Sequence, residues 1–130
     1  MKMGVNWVCT MDVAIRAANW LIAYDLFFSS GAKFDAPFNR LFTRSIYEHG
    51  QHIVNNLEWS TTARTNHYLA NIVGLIFISC YLSNTPETSI WLAFSIQEFI
   101  KAGNPPKESG YVPPAPPENT PIIDKRELAK

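Results

Sequence analysis

The stretch Arg64-Thr-Asn-His-Tyr-Leu-Ala-Asn-Ile-Val-Gly-Leu-Ile-Phe-Ile-Ser-Cys-Tyr-Leu82 decides the fold of this chain. From Leu69 to Leu82 the residues are apolar on almost every side of a helix, which is typical of a helix buried in protein or in lipid. The apolar run is shorter than the roughly 20 residues of a membrane span, and it contains Asn71. We therefore predict an inner helix of an all-α fold from about Thr65 to Leu82. A small membrane protein built on this run is the alternative.

Three further helices are predicted from apolar residues that recur at steps of three and four. Pro37 and Pro86 suit the first turn of a helix, where their missing N–H groups would be unpaired anyway. Gly50 lies inside a predicted helix and indicates close packing or a kink, because glycine costs about 1 kcal/mol there relative to alanine. The predicted helices run from Trp7 to Phe28, from Pro37 to Trp59, and from a cap at Asn84-Thr85 to about Ala102.

The same periodicity predicts which side of each helix is buried. The expected buried face of the first helix contains Trp7, Met11, Ala14, Ala18, Leu21, Ile22, Asp25 and Phe28. The expected apolar stripe of the second helix contains Phe38, Leu41, Phe42, Ile46, Ile53 and Leu57.

The composition is that of a packed domain. Hydrophobic residues make up 47% of the 130 residues and aromatic residues 13%, which argues against disorder. Eleven basic and eleven acidic side chains cancel, which argues against a nucleic-acid binder and against attachment to an anionic membrane surface. Cys9 and Cys80 lack the spacing of metal ligands and are expected to be small buried apolar residues, with a single bridge between them left open. No metal and no cofactor is expected.

From Gly103 onward the composition changes. Seven of the nine prolines lie between Pro105 and Pro121, and such a segment favours extended conformations. We predict a helical domain over residues 1–102 and an irregular, poorly ordered Pro-rich tail over residues 103–130. Near the N-terminus, Asp12 and Arg16 interrupt the apolar residues, so no signal peptide is predicted.

The first candidate site is the pair Asn66 and His67 at the start of the apolar helix. The first turn of a helix presents unpaired N–H groups and a partial positive charge. It is therefore a favourable place for a carboxylate, to which Asn66 would add an amide donor. The structural alternative is that Thr65 or Asn66 only caps the helix, since asparagine is among the best capping residues.

Polar residues at the end of the second helix form a second candidate. Asn55, Asn56 and Glu58 precede Trp59, and they would line a groove in which the indole stacks on a sugar ring. Packing of Trp59 in the core is the alternative. Arg16, inside an apolar helix, would bind an anionic substrate or else pair with an acid of another helix.

His49 and His52 lie three residues apart, so they face the same side of a helix. Glu-His-Gly-Gln-His lacks the zincin spacing of histidines. We therefore expect a solvated polar face here.

Three runs of sequence form a pattern when they are taken together. They are Asn6-Trp7 with Met11-Asp-Val-Ala-Ile-Arg-Ala-Ala-Asn-Trp-Leu21, then Ile53-Val-Asn-Asn-Leu-Glu-Trp59, and then Thr65-Asn-His-Tyr-Leu-Ala-Asn71. They resemble the N-terminal helical region of the heparinase II/III-like polysaccharide lyases. In that family an Arg and a Trp recur on the first of these helices, and an N-H-x-L-x-N run opens a later one. The resemblance covers roughly residues 5 to 101.

The resemblance implies antiparallel helical hairpins that form part of an incomplete α/α toroid, which a β-sandwich follows in the family. It implies β-elimination of glycosidic bonds next to uronic acids, as in glycosaminoglycans. By motif match, Asn66 would neutralise the uronate carboxylate and His67 would lie beside it as the second catalytic candidate. The substrate-binding candidates are Arg16, Asn55, Asn56, Trp59 and Tyr68.

The chain departs from the family pattern after the fourth helix. The family has a segment resembling D-G-x-N-x-E-x-S-x-x-Y-H with the catalytic Tyr, whereas Tyr111 lies here in a Pro-rich context. We therefore predict a lyase fragment that is inactive alone. A non-catalytic helical module that binds glycan or protein is the alternative.

The expected partner is an acidic, uronate-containing polysaccharide, with no nucleic acid and no membrane span. Self-association through uncovered hairpin faces is also expected. Relatives often work in the periplasm or cell envelope, but the sequence does not predict this chain's compartment.

Overall fold

The computed structural model describes residues 4–59, 66–82 and 85–103. These residues form a short 3-10 helix, Val5–Trp7, and four α-helices, with no strand among them. The prediction of an all-α fold is confirmed. The α-helices are α1 (Thr10–Ser29), α2 (Ala36–Asn55), α3 (Asn66–Leu82) and α4 (Pro86–Gly103).

The helices alternate in direction along the chain. Arg16 near the start of α1 bonds to His49 in the later half of α2, while Tyr24 further along α1 bonds to Asn39 near the start of α2. Tyr68 in the first turn of α3 bonds to a residue in the last turns of α4. The result is two antiparallel hairpins, as predicted. The incomplete toroid stays a prediction.

Helix α3 is the central helix, in contact with each of the other three. Its packing against α1 is unusually close at Gly74, where an added Cβ would lie 2.7 Å from the Cβ of Ala14 and 3.0 Å from its Cα. Gly50 of α2 similarly faces the ring of Trp91, so close packing, one of the two predicted roles of this glycine, is confirmed. The largest fully buried apolar side chains are Trp91, Ile46, Ile53, Ile72, Leu75, Ile78 and Val13.

Two helix starts follow the chemistry of their sequences. The Asp35 carboxylate accepts a hydrogen bond from Phe38 N (2.8 Å), and Pro37 lies in the first turn of α2. At α4, Thr85 accepts from Thr88 N (3.1 Å) and its own N–H donates to the Thr88 hydroxyl (3.2 Å). Asn84, the other candidate cap, lies outside the described residues.

Two predicted boundaries were wrong. Helix α1 begins at Thr10 rather than Trp7, because Trp7 belongs to the separate 3-10 helix. Helix α2 ends at Asn55, so Leu57 and Trp59 lie in the segment that follows it.

The predicted buried faces were only partly right. In α1 the buried residues are Thr10, Val13, Ala14, Ala17 and Leu21, whereas Ile22 and Phe28 are 45% and 62% exposed. In α2 the stripe is right for Ile46 and Ile53, but Phe38 and Leu41 are exposed and His49 takes a buried position instead.

No helix in the described ranges 4–59, 66–82 and 85–103 is long and apolar enough to cross a membrane. The predicted Pro-rich tail lies outside the described residues from position 104 onward. The division into a helical domain and a tail therefore stays a prediction.

Candidate functional site

The alternating helices bring the start of α1, the end of α2, the start of α3 and the end of α4 to one end of the bundle. We call this the site end. Six of the seven predicted site residues lie on these segments, and Arg16 lies two turns into α1. The six are Asn55, Asn56, Trp59, Asn66, His67 and Tyr68.

Glu58 joins three segments at the site end. Its Oε2 accepts hydrogen bonds from Met11 N (2.7 Å) and from Asn71 Nδ2 (3.3 Å), and its own N–H donates to Asn71 Oδ1 (2.8 Å). Since Cys9, the residue before α1, makes no side-chain cap, Glu58 supplies the missing acceptor from a distant part of the chain. The anion also lies where the α1 dipole favours negative charge.

The ionised form of Glu58 is favoured by these contacts. Burial by itself would raise the pKa of this carboxyl. The hydrogen bonds from Asn71, Met11 N–H and His67, with the attraction of His67, outweigh it and hold the pKa below its usual value. The site end therefore carries a fixed negative charge.

The predicted catalytic pair lies at the mouth of α3. Asn66 is the first residue of the helix and is exposed. The His67 side chain is 49% exposed, and its Nδ1 lies 3.4 Å from Glu58 Oε1. In the neutral ring, donation from Nδ1–H to Glu58 leaves Nε2 as the acceptor atom. The Asn-His pair thus combines an exposed amide with an imidazole that a carboxylate orients.

The predicted groove residues at the end of α2 have mixed surroundings. The exposed Asn55 and Asn56 each donate an amide N–H back to a backbone carbonyl one turn earlier, at Gln51 and His52 (2.8 Å in both cases). Trp59 is half-buried. This exposure is intermediate between that expected of an indole that stacks on a sugar and that of an indole packed in the core.

Tyr68 is bound to α4. Its hydroxyl donates to Glu98 Oε2 (2.9 Å), and Lys101 Nζ lies 3.1 Å from Glu98 Oε1. Glu98 is only 2% exposed, so the tyrosine and the lysine together compensate a buried carboxylate. The contact ties the first turn of α3 to the end of α4.

Arg16 lies between aromatic rings. Its Nε donates to His49 Nε2 (3.1 Å) and its Nη1 donates to the Asn6 carbonyl (3.0 Å). The guanidinium lies 5.1 Å from the Trp7 ring centroid and 5.9 Å from that of Trp20. The alternative prediction for Arg16 was an ion pair with an acid of another helix. Among the described residues this was wrong, because the side-chain partner of Arg16 on the other helix is His49.

The prediction of a solvated face at His49 and His52 was also wrong. His49 is 1% exposed, with Nδ1 2.7 Å from the Ser45 carbonyl. Because Nδ1–H donates there and Nε2 accepts from Arg16, the ring is neutral. Burial lowers the pKa of His52, and the positive charge of Arg16 lowers it further, against a backbone hydrogen bond at Trp7 that raises it.

Cys9 and Cys80 are both free thiols. The expectation that both are buried was wrong, since Cys80 is exposed and Cys9 is half-buried. Cys9 faces Glu58, with its Sγ 3.7 Å from Oε1.

Comparison with known families decides what this arrangement belongs to. Residues 2–103 match the model of the heparinase II/III N-terminus. This chain belongs to that family. No curated protein and no solved structure gives a significant match to it.

The match to the heparinase II/III N-terminus spans all three runs, from Asn6 to Asn71, and the structure connects two of them. Glu58, from the Ile53–Trp59 run, is held by Asn71, the last residue of the N-H-x-L-x-N run. From the sequence, Glu58 was predicted only to line the wall of a polar groove, and no role was predicted for Asn71. The usable signal was Asn71 itself, a polar residue in an otherwise apolar helix. A buried amide needs hydrogen-bond partners, so Asn71 indicated a contact with another polar group.

Proposed function

We propose that this chain is the uronate-binding helical part of a polysaccharide lyase that cleaves acidic glycans by β-elimination. The observation that carries the proposal is the exposed Asn66 at the first residue of α3, next to His67, in a chain of the heparinase II/III N-terminus family. The amide and the helix start offer donors to the same anion.

Recognition of the carboxylate has a chemical purpose in β-elimination. The proton on the carbon next to an ionised carboxylate is hardly acidic, because removing it adds charge to an anion. Donors aimed at the carboxylate stabilise the enolate-like transition state, and losing one such donor typically costs about 3 kcal/mol of barrier. In the proposal Asn66 has this role.

His67 is proposed to lie against the sugar through Nε2. Glu58 beside Nδ1 (3.4 Å) orients the ring and favours the tautomer with Nε2 as acceptor. An acceptor atom within hydrogen-bond reach of the substrate can position or move a proton. Glu58 is then a positioning residue for His67.

The remaining candidates would bind the glycan around this pair. Asn55 and Asn56 are exposed and Trp59 is half-buried, a combination suited to hydroxyl groups and to one sugar face. Tyr68 and Arg16 already bond to Glu98 and His49. They are proposed to support the groove and to contact substrate only from its edge.

The proposal for this chain is limited to binding. The sequence has the Asn-His pair of the family pattern but no Tyr-His segment after α4, so turnover is assigned to a lyase that contains both. The alternative is a non-catalytic module that binds glycan, for which the same contacts would suffice. We expect no ultraviolet-absorbing unsaturated product from the 130-residue chain.

A binding experiment tests the proposal. A uronate oligosaccharide and its carboxyl-reduced counterpart are titrated into the chain, with backbone amide NMR shifts as the readout. We expect preference for the uronate, and we expect Asn66→Ala to weaken uronate binding about tenfold, since a hydrogen bond to a charged group contributes about 1.5 kcal/mol or more. The variant should leave the reduced sugar unaffected.

Asn66→Asp sharpens the test, because it keeps the size of the side chain while replacing a donor by a negative charge. It should lose the uronate preference completely. Equal affinity of the wild-type chain and both variants for the uronate oligosaccharide would remove Asn66 from any sugar site.

A further inference from the structure

Three different metal-binding side chains meet at the site end. One ligand atom from each of Cys9, Glu58 and His67 lies within 4.8 Å of the other two. They come from three separate segments, namely the residue before α1, the connection after α2 and the first turn of α3. These residues are far apart along the chain and meet only when it folds, which is why they show no metal-ligand spacing in the sequence.

The distances suit a small tetrahedral ion. Zn²⁺ with bonds of about 2.3 Å to sulfur and about 2.0 Å to nitrogen or oxygen places neighbouring ligand atoms about 3.3 to 3.6 Å apart. Glu58 Oε1 lies 3.7 Å from Cys9 Sγ and 3.4 Å from His67 Nδ1. Two of the three ligand pairs therefore need almost no movement. His67, half-exposed in the first turn of α3, can close the third.

The carboxylate is already held in a ligating orientation. Its Oε2 accepts from Met11 N–H and from Asn71 Nδ2, which directs Oε1 toward the cysteine and the histidine. Hydrogen bonds of this kind to a ligating carboxylate are the usual support of metal sites. Asn71 is 0% exposed and bonds to Glu58 through both atoms of its amide, so two contacts support the carboxylate from inside the fold.

We propose that Cys9, Glu58 and His67 form a Zn²⁺ site with solvent as the fourth ligand. A thiolate with an imidazole selects zinc over Ca²⁺ and Mg²⁺, which take oxygen ligands. Binding removes the thiol proton to solvent and pairs one thiolate and one carboxylate with the dication. The inference does not rest on the proposed glycan function, since it is argued from the three ligand side chains alone. With Zn²⁺ on Nδ1 the ring proton lies on Nε2, so the Nε2 acceptor of the proposed function belongs to the metal-free chain.

Cobalt spectroscopy of the full chain tests the site. Co²⁺ is titrated into metal-free protein, and Zn²⁺ is then added as competitor. We expect one equivalent of Co²⁺ to give the visible bands of tetrahedral cobalt and a thiolate-to-cobalt charge-transfer band, and we expect one equivalent of Zn²⁺ to remove both. Affinity should fall as pH is lowered, because the ligands must lose their protons.

The chain offers a matched pair of variants. Cys9→Ser should abolish the charge-transfer band and weaken Zn²⁺ binding by more than about 100-fold. Substitution of residues that only support a metal ligand costs up to about 100-fold in affinity, and loss of a ligand itself should cost more. Cys80→Ser removes the other, exposed thiol and should leave both unchanged. His67→Ala, a surface change at a half-exposed residue, should weaken binding while the far-ultraviolet spectrum of the folded chain is retained.

Thermal unfolding gives a second readout. Zn²⁺ should raise the melting temperature of the wild-type chain and of Cys80→Ser but not of Cys9→Ser, since an ion that binds only the folded state stabilises it. No charge-transfer band in the wild-type chain, or a band that persists in Cys9→Ser or disappears in Cys80→Ser, would overturn the proposal.

Discussion

Glu58 shows how one side chain replaces several local interactions. The carboxylate satisfies an N–H in the first turn of α1, holds the amide of Asn71 and lies beside His67. A helix start without its own cap leaves N–H groups that burial makes costly. Glu58 therefore connects the stability of α1 to the orientation of the candidate site.

The first prediction is that Glu58→Gln destabilises the chain by about 1 to 2 kcal/mol at pH 7, because hydrogen bonds to a charged group contribute more than those to an amide. The pKa of Glu58 is lower in the folded state than its usual value. Its stabilisation is therefore complete above the unfolded-state pKa and is lost as pH falls through the folded-state pKa. Urea unfolding from pH 7 downward should show the difference between wild type and variant shrinking.

Asp25→Asn is the control for this change. Asp25 is an exposed carboxylate on α1, and surface substitutions usually change stability by less than about 0.5 kcal/mol. An unfolding free energy of Glu58→Gln that matches the control at pH 7 would contradict the assigned role of Glu58.

At the scale of elements, the contact of α1 with α3 is fixed by a small residue on each helix. Gly74 has no side chain where the backbone of Ala14 passes, and an added Cβ would lie 3.1 Å from the Ala14 carbonyl oxygen. Backbone cannot rotate away as a side chain can, so the two helices would have to separate. The candidate site lies at the starts of these same two helices.

We predict that Gly74→Ala destabilises the chain by about 1 to 3 kcal/mol, the usual cost of overpacking, despite the better helix propensity of alanine. Chemical denaturation measures the effect. Gly103→Ala, where no atom of the described residues lies within 4 Å of the added Cβ, should change stability by less than about 0.5 kcal/mol. A neutral or stabilising Gly74→Ala would show that α1 and α3 are less tightly packed than described.

Sequence periodicity predicted the helices better than their faces. Helix α3 was identified correctly because it is apolar on all sides. For such a helix the prediction does not have to choose which side is buried. The buried side of α1 was assigned only partly correctly, because the second half of the helix is apolar on its exposed side too, where Leu26, Phe27 and Phe28 are each 62% exposed. A three- or four-residue step cannot distinguish two apolar sides of one helix.

The candidate site was predictable to the same limited extent. The position of Asn66 and His67 at a helix start followed from local sequence. The contact of Glu58 with Met11 crosses 47 residues and depends on how α1 and α3 pack, which no local pattern contains. His49 looked solvated because it is polar, yet Arg16 and the Ser45 carbonyl satisfy both ring nitrogens inside the fold.

In the assembled bundle, α4 packs mainly on α3 among the described helices. Its outer side carries a patch formed by Ile96, Phe99 and Ile100, which are 43%, 48% and 57% exposed. Residues at such three- and four-residue steps form one continuous surface. Contiguous apolar patches on a folded chain favour association.

We predict that the 130-residue chain self-associates through this α4 patch in a concentration-dependent way. The double variant Ile96→Lys with Ile100→Lys should shift it toward monomer in sedimentation velocity, because a lysine cannot be buried unpaired in an apolar interface. The matched control, Ile15→Lys with Ile22→Lys, changes two isoleucines of α1 that are each 45% exposed and should leave association unchanged. A wild-type chain that stays monomeric at every concentration, or a control that dissociates it equally, would rule out the α4 patch as the interface.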